Sequence, residues 1–175
     1  AGTVLADLVR DGALSSCVAP LTHSWRFPAE RGVGRLAAAV NAGQADAAIE
    51  CLRAKRDQVD WIEVATAAEV VARATQERVR LATDARILCG HRRGADGSVR
   101  INPSIVRGIA GGAGGHFPGR PILVTVNDDN TGLRNGDTGI MRREGNAWFA
   151  HFPGRDPVPA EQLPAHETAF ALTIH

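Results

Sequence analysis

Two apolar stretches of this sequence each lead into polar side chains, the arrangement by which parallel α/β sheets bind ligands at the carboxyl ends of their strands. The stretch Cys17–Leu21 leads into Thr22–Phe27, which carries a threonine, a histidine, a serine and an arginine. The stretch Phe170–His175 places Thr173 and His175 two residues apart, and they share one face of a strand because side chains alternate. Both strand ends are therefore candidate ligand contacts.

A phosphate-binding loop of the type Gly-x-x-x-x-Gly-Lys-Ser/Thr does not occur in the sequence. Nor does any strand end in a recognisable acidic pair that could hold magnesium beside a nucleotide. The chain alone is therefore not expected to bind Mg-ATP. Its histidines and acidic residues show no spacing typical of a metal-dependent nuclease, so no metal site is predicted.

The composition is that of a globular protein with a core of useful size. The 175 residues are 44% hydrophobic, which is enough to fill such a core. The 20 basic and 19 acidic residues argue against a strongly electrostatic nucleic-acid binder but leave room for a local basic patch. No apolar run approaches the roughly 20 residues of a membrane span, and we expect a cytoplasmic protein. The three dispersed cysteines are predicted to be reduced and buried: Cys17, Cys51 and Cys89.

The first two thirds of the sequence alternate between helical and strand patterns. Helical spacing covers residues 1–14, 34–42, 45–54 and 67–81, and strand-like runs cover 17–21, 59–64 and 85–90. A further helix is predicted to begin at Asn102-Pro103, since Asn favours the N-cap and Pro the first helical position. This alternation predicts a parallel α/β sheet.

The pattern changes after the glycine-rich run Gly111–Gly115, which by composition is a flexible hinge or a plain linker. Short strands are predicted over residues 122–126, 138–141 and 147–152, separated by turn signals such as Asn135-Gly136. Several short strands in so few residues predict a small SH3-like barrel. A barrel at 116–165 would then be inserted between two parts of the α/β domain, residues 1–115 and the return strand 166–175.

Three segments, in this order, resemble the RecD family, the helicase alpha subunits of exodeoxyribonuclease V (RecBCD) in helicase superfamily 1. Leu21–Phe27 with Gly32–Asn41 is similar to the family's motif IV and its trailing helix. Gly119–Ile122 and Gly132–Gly139 are similar to the start and hairpin of its SH3-like insert. Leu163–His175 resembles the approach to motif V. We therefore expect a fragment that stops within motif V, before the Lys-Ser-Gln-Gly of the family.

The resemblance implies that the chain is most of a second RecA-like motor domain with an inserted barrel. The complete protein would be an ATP-dependent DNA helicase that moves 5′ to 3′ on single-stranded DNA in double-strand-break repair and recombination. ATP and Mg²⁺ would be its cofactors, and RecB-type and RecC-type subunits and the first motor domain its partners. The fragment alone would be inactive and bind neither cofactor.

The same resemblance assigns three site residues, which are Arg26, Thr173 and His175. Arg26 corresponds to the motif IV arginine, which delivers a permanent positive charge to the γ-phosphate when the cleft between motor domains closes. Thr173 and His175 correspond to the strand end that meets the DNA backbone. Further predicted DNA contacts are Asn127, Asn135, Arg134 and Arg92. Arg120, Arg142 and Arg143 are favoured over the neighbouring aspartates for the DNA-facing side, because carboxylates repel phosphate.

Two alternatives stay open at this point. A relaxase-fused or standalone RecD-like helicase would share these motifs. A non-catalytic module, in which the small barrel binds a protein, belongs to a different class. Barrels that bind proline-rich peptides line their groove with several aromatics, whereas this one offers Trp148, Phe149 and Phe152 on alternating faces and no tyrosine.

Overall fold

The computed structural model describes residues 2–10, 16–19, 27–55, 59–76, 85–111 and 115–173. The chain divides into two compact units, Ala1–Glu63 and Val64–His175. None of the helices in these ranges is both long enough and apolar enough to cross a bilayer. The predicted phosphate contact Arg26 and the predicted DNA contact His175 lie outside the described residues.

The first unit is helical in its described parts. Its elements are α1 (Gly2–Arg10), α2 (Gly32–Asn41) and α3 (Ala45–Arg53). Helices α2 and α3 pack closely because the buried residues at their contact, Ala39 and Ala48, are small. A Cβ atom on Gly34 would overlap the carbonyl oxygen of Pro28, so only glycine allows α2 to start this close to the preceding chain.

The strand predicted over residues 59–64 is wrong, because this segment has no regular secondary structure. A segment of strand-like composition forms a strand only where a neighbouring strand satisfies its backbone groups, and none pairs with this one in the described residues. Trp61 instead lies under the guanidinium group of Arg53, with 5.7 Å between Cζ and the ring centroid.

The second unit contains a parallel strand pair and an antiparallel sheet. Its elements are α4 (Ala67–Gln76), β1 (Ile87–Cys89), α5 (Ser98–Ala110), β2 (Pro121–Val124), β3 (Thr138–Glu144), β4 (Ala147–His151), β5 (Val158–Pro159), β6 (His166–Thr168) and β7 (Ala171–Thr173). Strands β1 and β7 pair in parallel, with Ile87 opposite Ala171 and Cys89 opposite Thr173. The expected mixture of a parallel α/β part and an inserted antiparallel part is confirmed.

The parallel pair packs on α4 and α5 through a core centred on Ile105 and Phe170, which are 0% and 1% exposed. The ring of Phe117 stacks on that of Phe170, with 6.4 Å between centroids and 11° between planes. Cys89 belongs to this core, as predicted, whereas Cys17 is exposed and Cys51 is half-buried. All three are free thiols.

The antiparallel sheet has the strand order β5-β4-β3-β2-β6. Alternate residues of these strands point into a second core, whose members Ile122, Val124, Leu133, Met141 and Ala150 are all inaccessible to solvent. In the described residues this sheet is open, and its strands do not close into a barrel. Five of the predicted strands are present: residues 85–90 as β1, 122–126 as β2, 138–141 as β3, 147–152 as β4 and Phe170–His175, in part, as β7.

Helix α5 begins at Ser98, four residues before the position predicted from Asn102-Pro103, so that prediction is wrong. Pro103 lies inside the helix and leaves the Val99 carbonyl without its usual i+4 partner, because proline has no N–H. The early start is stabilised by backbone hydrogen bonds from Ser98 and Val99 to the preceding loop. Tertiary contacts have outweighed the local capping signal.

Candidate nucleic-acid interface

The carboxyl ends of β1 and β7 lie side by side, because the two strands are parallel and end at paired residues, Cys89 and Thr173. Thr173 is half-buried. Strand β1 continues into the loop formed by residues 90–97, here called the arginine loop, which carries His91, Arg92 and Arg93 with all three side chains exposed. The parallel pair therefore brings a threonine hydroxyl and a cationic loop to one edge, where ligands bind in open α/β sheets.

The arginine loop is held by the amino end of α5. The N–H of Ser98 donates to the His91 carbonyl at 3.3 Å, and the N–H of Val99 donates to the Arg92 carbonyl at 3.1 Å. A Cβ on Gly97 would stand 2.6 Å from the Arg92 carbonyl oxygen, so this close approach requires glycine. The first N–H groups of the helix are thus used by the loop, and an anion at this edge would be bound by side chains.

Arg92 forms an ion pair with Glu167 of β6, with Nη2 3.2 Å from Oε2. Both side chains are well exposed, at 61% for Arg92 and 40% for Glu167, so the pair contributes less than about 1 kcal/mol to stability. Sequence reasoning singled out Arg92 but missed Glu167, because the two residues are 75 positions apart. The Glu167 carboxylate thus binds the guanidinium group that is predicted to contact DNA, and breaking this ion pair costs little free energy.

The segment 125–137, here called the polar loop, joins β2 to β3 and carries three of the predicted DNA contacts. The Asn127 side chain accepts a hydrogen bond from the backbone N–H of Asn135 at 2.9 Å. Gly136 has a φ of 100°, and its N–H donates to the Val124 carbonyl at 2.9 Å. The Asn-Gly pair therefore makes the turn that the sequence predicted, and the side-chain oxygen Oδ1 of Asn127 helps to hold it.

Acidic side chains of the polar loop are also used within it. Asp128 accepts hydrogen bonds from the hydroxyl and the N–H of Thr131, at 2.6 and 2.9 Å, and the first of these is the main cause of the lowered pKa of Asp128. Arg134 pairs with Asp129, with 2.6 Å between Nη1 and Oδ1. Because Asp129 is 92% exposed, this pair holds the Arg134 side chain only weakly. Arg134 can exchange that carboxylate for a phosphate.

Arg120 joins the two chain segments that connect the sheets. Its Nε donates to Thr168 Oγ1 and its Nη1 to the Gly115 carbonyl, both at 3.0 Å. Burial lowers the pKa of Arg120 from its ordinary value, and its charge contributes, after burial, to the lowered pKa of His116. The prediction that Arg120 faces DNA is not supported, since its guanidinium group is half-buried and bonded within the protein.

A cleft of about 400 Å³ runs along α5 beside β6. Its lining includes Asn102, Arg107, Arg120, Glu167 and Thr168. Its positive groups have protein partners: Arg120 as above, and Arg107 through a 3.1 Å hydrogen bond to Ser104. These partners are neutral, but the carboxylate of Glu167 lines the same cleft and disfavours the binding of an anion there. The described residues also contain no group of three His, Cys, Asp or Glu side chains that could hold a metal ion.

The predicted DNA contacts thus fall into two groups. Thr173 and Arg92 belong to the strand-end edge, and Asn127, Arg134 and Asn135 belong to the polar loop. The two groups are neighbours in the fold, because Glu167, the partner of Arg92, pairs with Leu123, two residues before the polar loop begins. The arrangement defines a mixed α/β protein with an inserted antiparallel sheet and with exposed arginines near the point of insertion.

Comparison with known proteins assigns the family. The chain is 36% identical over its whole length to the RecBCD enzyme subunit RecD of Mycolicibacterium smegmatis, and 34% identical to that of Mycobacterium tuberculosis. A stretch of 59 residues is 44% identical to the Haemophilus influenzae RecD subunit. The chain belongs to the RecD family, as its motifs predicted, and spans about 35% of the length of the two mycobacterial relatives. No family model matches it.

Proposed function

We propose that this chain is part of the motor of an ATP-driven DNA helicase of the RecD type. The observation that carries the proposal is its similarity along its entire length to subunits named RecD. The fold supports it, because a parallel α/β part is interrupted by an antiparallel sheet between α5 and β7, where the family's insert would lie. Residues 1–115 and 166–175 would form the second RecA-like domain, and residues 116–165 the SH3-like insert.

The nucleotide would lie between this part and the remainder of the polypeptide. The sequence has no phosphate loop, so these residues fit only a supporting role toward Mg-ATP. Arg26 is proposed to hold its guanidinium group against the γ-phosphate, where hydrolysis concentrates negative charge. The relatives are named as subunits of the RecBCD enzyme, and RecB-type and RecC-type partners are proposed on that ground.

Single-stranded DNA would contact the strand-end edge and the polar loop. Arg92 and Arg134 are each paired with an exposed carboxylate, so each can exchange it for a phosphate without losing a buried contact. The Thr173 hydroxyl, and His175 two residues later, would donate hydrogen bonds to the backbone. Asn127 and Asn135 would contribute through the shape of the turn that they form. The expected direction of movement along the strand is 5′ to 3′.

The proposal is tested by measuring ATP hydrolysis by the complete polypeptide with and without single-stranded DNA. We expect turnover to depend on DNA, and strand separation to require a 5′ single-stranded tail if movement is 5′ to 3′. A polypeptide that binds no ATP would contradict the proposal and favour the non-catalytic binding module. Strand separation by the polypeptide without companion subunits would favour the standalone form.

Exchange of the Arg92–Glu167 pair for DNA predicts opposite effects of two substitutions. Arg92→Gln should weaken single-stranded DNA binding several-fold and reduce the slope of log affinity against log salt by about 0.7. Glu167→Gln should strengthen binding, because it frees Arg92. Fluorescence anisotropy with labelled oligonucleotides at several salt concentrations measures both effects.

The matched control is Glu161→Gln, which makes the same change in net charge at an exposed residue that pairs with no arginine in the described residues. It should increase affinity less than Glu167→Gln does. Equal gains from the two glutamate variants would show that only net charge matters. The role assigned to Arg92 would then be wrong.

A further inference from the structure

Asn102 is a buried polar residue whose side-chain amide both donates a hydrogen bond to the backbone of Ala171 and accepts one from it. It lies on α5 and is 8% exposed. Its Nδ2 donates to the Ala171 carbonyl at 2.8 Å, and its Oδ1 accepts the Ala171 N–H, also at 2.8 Å. One side-chain amide therefore satisfies both backbone groups of one residue of β7, and all polar atoms in this contact are paired.

This contact occupies the edge of β7 that faces away from β1. The N–H of Ile87 donates to the Phe170 carbonyl, so the backbone groups of Phe170 face β1 and those of Ala171 face the opposite edge. Asn102 thus takes the place of a neighbouring strand at that edge. Thr173 presents its backbone to the same edge, two residues further along, because the direction repeats every second residue.

The contact also fixes the register of β7. A slip by one residue would bring the backbone of Leu172 or Phe170 to Asn102, but those groups point toward β1. The amide would then lose both hydrogen bonds inside the protein, which is costly for a buried polar group. The position of Thr173 along the edge is therefore set by α5.

The same helix holds the arginine loop, through the N–H groups of Ser98 and Val99. Helix α5 is thus bonded to the two elements that end at the strand-end edge. Its first turn holds the loop that carries Arg92, and Asn102, one turn later, holds the strand that carries Thr173. A rigid helix between them fixes the spacing of these two groups.

We propose that Asn102 is a positioning residue for DNA, which fixes the place of Thr173 relative to Arg92 at the strand-end edge. This inference rests on the proposed function and deepens it, because Asn102 itself is buried and acts through β7. It assigns to an interior amide a part of the affinity for DNA. The ligand class is the phosphate backbone of single-stranded nucleic acid.

The test uses the complete polypeptide with Asn102→Leu, which keeps the volume of the side chain and removes both hydrogen bonds. We expect the concentration of single-stranded DNA that half-saturates ATP hydrolysis to rise about tenfold. The turnover at saturating DNA and the KM for ATP should change less than about twofold, because the role proposed for Asn102 concerns the affinity for DNA alone. Hydrogen exchange of the segment 166–173 should become faster.

Two further variants separate positioning from general stability. Ile105→Val trims a fully buried side chain of the same helix and leaves both hydrogen bonds between Asn102 and Ala171 in place, so it should lower the thermal midpoint and leave the DNA requirement unchanged. Asn102→Ser replaces the amide with a smaller polar group, a hydroxyl, and should raise the DNA requirement by less than Asn102→Leu. It carries the test if the leucine variant does not fold.

A DNA requirement that follows the loss of thermal stability in all three variants would overturn the positioning role. An unchanged DNA requirement in a folded Asn102 variant would overturn it as well. Wild-type protein without DNA-dependent ATP hydrolysis would instead overturn the proposed function, and with it the premise of this inference. The two failures are distinguished by the wild-type assay alone.

Discussion

ATP hydrolysis by the complete polypeptide is expected to fall about 10³-fold or more when Arg26 is replaced by alanine, the loss that follows removal of an arginine from a phosphoryl-transfer site. The guanidinium group is planar and always charged, so it can donate hydrogen bonds to two γ-phosphate oxygens at once as negative charge develops there. The loss should therefore appear in kcat, with the affinity for DNA nearly unchanged. Steady-state ATP hydrolysis at saturating single-stranded DNA measures it.

Two companion variants make this result specific. Arg26→Lys keeps the charge but loses the two-pronged geometry, so its kcat should lie between those of wild type and Arg26→Ala. Arg10→Ala removes an exposed arginine from the last turn of α1 and should leave kcat unchanged. If Arg26→Ala retained near-wild-type turnover, the motif IV correspondence would be wrong for this residue.

The largest stability loss is expected for Phe170→Ala, at about 3–5 kcal/mol of the free energy of unfolding. Phe170 is 1% exposed, stacks on Phe117 and directly precedes β7 in the chain. Its removal would leave a cavity between the parallel pair and its helices, because the surrounding side chains are held by their own backbone elements. Denaturant unfolding of the protein, followed by circular dichroism and tryptophan fluorescence, measures the change.

Phe149→Ala is the matched control, since it makes the same substitution at a half-buried position of β4. It should cost clearly less than Phe170→Ala, in proportion to the smaller apolar area it removes from contact. Equal costs would contradict the assignment of Phe170 to the central core. If Phe149→Ala destabilised only the antiparallel sheet, the two cores would be shown to unfold separately.

The antiparallel sheet was predictable because its signals are local. The turn signal of Asn135-Gly136 and the apolar, aromatic run Ala147–His151 act over a few residues, and the structure places a turn and a strand there. The segment 59–64 has an equally strand-like composition but no pairing strand in the described residues, so its composition alone misled. A strand is defined by its neighbour, which a single segment cannot reveal.

The candidate site was predictable in part for the same reason. A resemblance of motifs indicated Thr173, a basic run after a predicted strand indicated Arg92, and the topology places both at one edge. The residues that hold them there, Glu167 and Asn102, act across 75 and 69 positions of sequence, and no local pattern announces such contacts. Asn102-Pro103 was even interpreted as a cap, because the side chain that pairs with β7 is also the one that suits a helix start.

The insertion of the antiparallel sheet between α5 and β7 has a consequence for biosynthesis. Ala171 meets Asn102 across 69 residues, so the ribosome must release the whole inserted segment before β1 gains its parallel neighbour. The β3–β4 and β4–β5 pairings of the antiparallel sheet span much shorter loops and close at lower entropic cost. The nascent chain therefore carries α5 with an uncovered apolar face and an unpaired amide until β7 emerges. During this interval a chaperone would find a surface to bind.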